Sequence, residues 1–172
     1  SANVVATPVA ADGILIAASS YDTRAMLAIS MHGASGDITG SKHQLWSTTQ
    51  RTPYVPSMLL VEDQVYCLRH YQNILSRRHI RTGVESAGPF RLSGIQNIYA
   101  SPVAAKGRIY ITDLDGRTLV FTHDDQPEHL ALNPLDDSFA ATPALVGKEL
   151  FLRGREFLYC IANSDISEVP QE

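Results

Sequence analysis

One phrase recurs four times along the chain, as TPVAADGILI, SMLLVEDQVY, SPVAAKGRIY and TPALVGKELF. Each copy is a small hydroxyl residue, a short apolar run, a turn and a second apolar run, so the chain is a repeat of short strands before any other feature is weighed. The copies are anchored at Pro8, Met58, Pro102 and Pro143, at steps of 50, 44 and 41 residues. A step of about 40 to 50 residues is that of a propeller blade.

Within each copy the two apolar runs form a hairpin: Val9 to Ala11 with Ile14 to Ala17, Leu59 to Val61 with Val65 to Leu68, Val103 to Ala105 with Ile109 to Ile111, and Ala144 to Val146 with Leu150 to Leu152. The turns are Asp12-Gly13, Glu62-Asp63, Lys106-Gly107 and Gly147-Lys148, and the glycines supply the positive φ that a tight hairpin turn requires. A third strand follows in every copy, at Ala25 to Ile29, Asn73 to Ser76, Thr118 to Phe121 and Phe157 to Ile161. Candidates for a fourth are His43 to Ser47, Pro89 to Leu92 and His129 to Leu132. The last copy has none, and in a closed ring Asn3 to Ala6 is placed to supply it. No stretch sustains a 3.6-residue apolar period, so helices are expected to be nearly absent.

The 44% hydrophobic content is enough for a sizeable core, and no apolar run approaches the roughly 20 residues of a membrane-spanning helix. A formal charge of −4 argues against a general nucleic-acid or anionic-membrane binder. Cys67 and Cys160 fall at different positions of non-adjacent copies, too far apart for the Cα separation of roughly 7 Å that a disulfide tolerates. Both are expected to be buried free thiols.

The phrases SPVAAKGRIYITDLDGRTLVF and ATPALVGKELFLRGREFLYCIA resemble the repeats of the quinoprotein-like (PQQ-like repeat) β-propeller superfamily, which includes quinoprotein dehydrogenases and the bacterial outer-membrane assembly lipoprotein. The resemblance covers roughly Val5 to Ala162. Propellers of this family resemble one another in a docking motif, Ala-x-Asp-x-x-Thr-Gly-x-x-x-Trp, whose Trp packs between blades. Here it survives in fragments. Thr82-Gly83 match its turn, but His79 stands at the Asp position and Ala87 at the Trp position, while Asp37, Thr39, Gly40 and Trp46 echo it with altered spacing.

The local motifs that suggest chemistry have structural readings. The glycine-rich stretch from Gly33 to Lys42 lacks the Gly-Lys-Ser/Thr helix start of a phosphate loop and reads as a surface loop. Asp113-Leu114-Asp115-Gly116 begins like a calcium loop but lacks the distal ligands, and reads as a hairpin turn. His32, His43, His70, His79, His123 and His129 show no zinc spacing, and His123 with Asp124, Asp125 and His129 reads as a solvated connection. Ser76 to Arg81 is the basic cluster of the chain; with Arg77, His79 and Arg81 on one face it reads as a charged strand edge. Tyr66, Tyr110 and Phe151 recur at one position and should fill gaps between blades. The aligned hydroxyls Thr7, Ser57, Ser101 and Thr142 should make structural hydrogen bonds.

These readings converge on an all-β β-propeller of four quinoprotein-like blades, at about residues 4–48, 54–93, 98–132 and 138–162, with a polar tail over 163–172. Rings of this family usually have six to eight blades, so four imply a partial ring, two chains closing a ring, or an unusually small ring. An open arc leaves two apolar faces uncovered, so self-association or a protein partner at the blade faces is expected. No catalytic, cofactor-binding or metal-ligating residue is assigned, and no cofactor or nucleic-acid partner is expected. The expected role is a non-catalytic binding or scaffold module within a larger bacterial protein. The family resemblance implies a periplasmic or cell-surface location. The alternatives are a ligand-sensing propeller domain, or a fragment of a dehydrogenase holding pyrroloquinoline quinone with calcium on the propeller axis; the dehydrogenases' vicinal cysteine pair is absent.

Overall fold

The computed structural model describes residues 4–20, 22–69 and 73–163, and the regular elements among them are all strands. Blade 1 is β1 (Val9–Ala11), β2 (Ile14–Ser19), β3 (Ala25–Ser30) and β4 (Gln44–Thr48). Blade 2 is β5 (Leu59–Val61), β6 (Gln64–Leu68), β7 (Ile74–His79) and β8 (Glu85–Arg91), and blade 3 is β9 (Val103–Ala105), β10 (Arg108–Thr112), β11 (Arg117–Thr122) and β12 (His129–Pro134). Blade 4 has three described strands, β13 (Ala144–Val146), β14 (Glu149–Arg153) and β15 (Leu158–Ala162). Each sheet is an antiparallel meander in chain order. Two-residue turns join the first two strands of each blade, with Asp12 and Gly13 at φ 49° and 73°. These are the mirror-image turns whose twist matches the strands.

The sequence placed the strands well except in blade 2, where β7 runs on to His79 and β8 starts at Glu85 rather than Pro89. Val4 to Ala6 forms no strand, so the described part of the N-terminal segment does not complete blade 4. Asn3, and the expected tail beyond Asn163, lie outside the described residues. The first strands stand side by side, β1 against β5, β5 against β9 and β9 against β13, while β13 does not meet β1. The four blades form an open arc.

Two apolar clusters glue the arc together. Ile14, Ile16, Met26 and Ala28 of blade 1 meet Val65, Cys67 and Ile80 of blade 2. Tyr66, Leu68 and Leu75 of blade 2 meet Ile109, Ile111, Leu119 and Phe121 of blade 3. Blade 4 is anchored by Phe139, fully buried in the connection from blade 3, with its ring centroid 5.6 Å from that of Tyr159.

Along the inner strands the aligned hydroxyls form a relay with one direction. The Thr7 amide donates to Ser57 Oγ at 3.0 Å, the Ser57 amide to Ser101 Oγ at 2.9 Å, and the Ser101 amide to Thr142 Oγ1 at 3.2 Å. Blades 1, 2 and 3 therefore each offer an N–H forward to a hydroxyl of the blade that follows. The expectation of structural hydrogen bonding holds, and it is the registration device between blades.

Fragments of two successive copies of the docking motif meet in space. Trp46, on the outer strand of blade 1, lies on Gly83 of blade 2 and donates its indole N–H to the Ile80 carbonyl at 2.8 Å. A Cβ on Gly83 would sit 2.6 Å from the indole, and the residue has φ +68°. Gly83→Ala should therefore cost about 2 to 4 kcal/mol, combining left-handed strain with overpacking. Gly13→Ala, at φ +73° with nothing within 4 Å, should cost only about 1 kcal/mol. Denaturant unfolding of the two variants checks the difference.

Asp137 clamps the β14–β15 turn of blade 4. It accepts the amides of Ser138 at 2.7 Å, Arg155 at 3.0 Å, Glu156 at 3.2 Å and Phe157 at 3.1 Å. Burial pushes the Asp137 carboxyl up, and the amides of Ser138, Phe157, Glu156 and Arg155 more than reverse it, leaving it below the ordinary carboxylate value. Because folding depresses this pKa, the carboxylate's contribution is complete above the unfolded value of about 4 and is lost as pH falls through the folded one. Asp137→Asn should lower Tm at pH 7, and the gap to the parent protein should narrow on acidification below about pH 4; calorimetry over pH 2.5 to 7, taken as a working range of about that width, reads both.

Candidate functional site

The basic cluster is not a solvated edge. β7 lies between β6 and β8, and Arg77 and Arg78 are buried, with 3% and 7% exposure. An internal strand buries both its faces against neighbouring blades, so each guanidinium must be neutralised where it lies. Arg77 turns toward blade 3, donating to Gln64 Oε1 at 3.2 Å, to the Asp124 carbonyl and to the Asp125 carboxylate. Arg78 turns toward blade 1, donating to the Gly83 carbonyl at 3.0 Å beside Glu85, which in turn pairs with Arg51 at 2.5 Å. Neighbouring arginines on β7 thus turn to opposite sides, Arg77 bridging to blade 3 and Arg78 bracing its own blade beside the Glu85–Arg51 pair.

His123 is likewise not solvated. Its Nδ1 lies 2.7 Å from the fully buried Tyr66 hydroxyl, and its side chain is 10% exposed. Burial pushes the Tyr66 phenol up, away from any use as an acid near neutral pH. Asp113, also fully buried, accepts the amides of Asp115 at 3.0 Å, Arg117 at 2.8 Å and Gln96 at 3.1 Å. The calcium-like sequence is thus a self-satisfied turn tied to the preceding connection. Burial pushes the Cys67 thiol up to about 12, which makes it inert. Cys160 differs from expectation: it is exposed, because the face of blade 4 that carries it has no neighbouring blade.

Among the described residues no three His, Cys, Asp or Glu side chains are grouped so as to hold a metal ion. Three concave features stand out, one of them a pocket of about 430 Å³ between blades 2 and 3 lined by Leu75, Phe90, Leu119 and Phe121. A cleft of about 600 Å³ separates blades 3 and 4, lined by Tyr110, Val120, Leu145, Leu150 and Leu152 with Lys106 at its rim. A pocket of about 290 Å³ between blades 1 and 2 brings together Arg24, Arg51 and Arg69 from three separate connections, with Ser20 and Thr52. Arg51 of this cluster is already paired with Glu85. Local sequence did not show it because its arginines lie far apart along the chain.

The largest unsatisfied feature is apolar. On blade 1, Leu15, Ala17, Leu27 and Ile29 pair across β2 and β3 and point away from the cluster shared with blade 2. On blade 4, Val146, Leu158 and Cys160 stand exposed on the face turned away from blade 3, with half-buried Phe151 between them and with Glu149 and Arg153 opposite Val146 and Leu158; Val146 is 58% and Leu158 70% exposed. Tyr66 fills a gap between blades as expected, whereas Phe151, at the same repeat position, has no following blade against it. An apolar face on blade 1 and an apolar face with two charged residues on blade 4 thus stand at the two ends of the arc.

No protein-family profile and no curated protein matches the sequence. Solved structures match the fold. The structure of BamB from Moraxella catarrhalis superposes with a TM-score of 0.67 at 14% identity, over 90% of this chain and 41% of that one. The computationally designed protein Ika8 gives 0.66 at 12% identity over 92% of this chain and 45% of its own. The designed protein Ika4 gives 0.69 at 12% identity over 93% of this chain and 91% of its own. The chain spans less than half the length of BamB and of Ika8, and nearly all of Ika4. Its fold is a β-propeller resembling these, in four blades that follow an open arc.

Proposed function

We propose that the chain is a non-catalytic propeller module that binds a protein partner through the uncovered faces of its terminal blades. One observation carries the reading: the buried groups that suggest chemistry, Arg77, Arg78, Asp113 and His123, are engaged by protein partners within and between blades, while the outer faces of the two terminal blades carry no neighbouring blade among the described residues. Contiguous apolar surface of this kind marks interaction sites rather than catalytic ones. Self-association through these faces belongs to the same reading. The likeness to BamB supports placing the module in a bacterial periplasm or at a cell surface, as part of a larger protein or assembly.

A dehydrogenase fragment would be stabilised by its cofactor, since a ligand that binds only the folded state raises Tm. Pyrroloquinoline quinone with calcium should leave the melting temperature of this chain unchanged, and a shift of several degrees would replace the binding reading with the enzymatic one. Affinity capture with the intact chain should retain a defined protein, and Leu158→Asp should release it. Capture indifferent to that substitution rules out the blade 4 face as the binding surface.

A further inference from the structure

We infer that a second copy of this chain covers both open faces, so that two arcs close one eight-bladed ring through two equivalent head-to-tail junctions. This rests on the binding-module reading and names its partner.

The repeat register assigns each open face a complement. Leu15 and Ala17 of blade 1 stand where blade 2 has Val65 and Cys67, which are buried to 0% and 1% exposure against the blade before them. Blade 1 therefore presents the face that receives a preceding blade. Phe151 of blade 4 stands where blade 2 has Tyr66, buried to 0% against the blade after it. Blade 4 presents the face that receives a following blade. The two open faces are the two halves of an interface the molecule already builds internally, and neither is the complement of itself.

The hydroxyl relay ends in matching groups. Thr7 donates its amide to Ser57, and its own exposed hydroxyl accepts nothing among the described residues. Thr142 accepts the Ser101 amide, and its own amide has no acceptor among the described residues. The relay continues if the Thr142 amide donates to the Thr7 hydroxyl of a second copy, and the same bond forms again at the other junction. The four blades superpose over 92% of their length on 45% of Ika8, as an arc that spans about half of a longer propeller would, and two such arcs complete it. A twofold axis relates the copies while each junction joins unlike faces, which is how a head-to-tail contact closes instead of propagating.

Light scattering at about 100 µM should give twice the chain mass of 18.8 kDa. Leu27→Asp and Leu158→Asp, on opposite ends of the arc, should each give the single-chain mass with an unchanged far-ultraviolet dichroism spectrum. An equimolar mixture of Leu27→Lys and Leu158→Asp should regain the doubled mass, because one junction of the mixed pair is unaltered and the other opposes unlike charges. The exposed thiol of Cys160 supplies a second readout: Leu27→Asp, on blade 1, should raise maleimide labelling of Cys160 on blade 4. If either variant fails to fold, Thr7→Ala takes its place. It should raise the dimer dissociation constant roughly 30-fold, one hydrogen bond being lost at each junction.

A parent chain of single mass overturns the ring, as does a Leu27→Asp variant that stays paired with Cys160 protected, which means blade 4 packs on blade 4. An unchanged dissociation constant for Thr7→Ala overturns the relay across the junction. A single-mass chain that still captures another protein in a Leu158-dependent way overturns the ring and leaves the binding module standing.

Discussion

Everything in this molecule depends on covering both faces of a sheet. The second and third strands of a blade are apolar on both sides, ILIAAS against AMLAIS in blade 1, so a blade on its own exposes a face whichever way it turns. Removing such surface from water contributes roughly 25 cal/mol per Å². The only economical arrangement is a stack, each blade lying on the next, and the apolar clusters between blades 1 and 2 and between blades 2 and 3 are that stack at work.

Apolar faces alone do not fix how one blade is set on another, since the hydrophobic effect has no direction. Directional groups supply the register. The inner strands are indexed by the hydroxyl relay, the outer strand of blade 1 by the Trp46 indole on the Ile80 carbonyl, and the middle of blades 2 and 3 by Arg77. Removing the partner of a buried guanidinium is strongly destabilising, so a blade 3 shifted off its register by one residue strands Arg77. Blade 4 is held differently, by Asp137, Phe139 and the last step of the relay. The cleft it leaves against blade 3 shows a looser fit.

How far the sequence reveals this follows from the range of each interaction. Hairpins are local, and their turns and apolar runs were legible at every blade. Register between blades is not local. Trp46 and Gly83 belong to successive copies of the motif, so their contact shows in neither copy read alone. Arg77 and Arg78 read locally as an exposed edge because the burial of β7 comes from the strands and blades on either side. The burial of His123 is equally non-local, its neighbour Tyr66 being 57 residues distant. Cys160 is exposed because it lies at an end of the arc, which its local sequence does not show. The open end faces themselves were legible as a count of four blades, but not as particular residues.

The direction of the relay carries a consequence of its own. Every link runs from an amide to the hydroxyl of the succeeding blade, and among the described residues the arc has one unused amide at Thr142 and one unused hydroxyl at Thr7. Joining arcs in a line never changes that tally: however many are added, a donor is left at one extremity and an acceptor at the other. Circular closure is the sole arrangement that leaves neither. An assembly rule with a built-in stopping condition is therefore written in four small side chains, without any residue devoted to limiting growth.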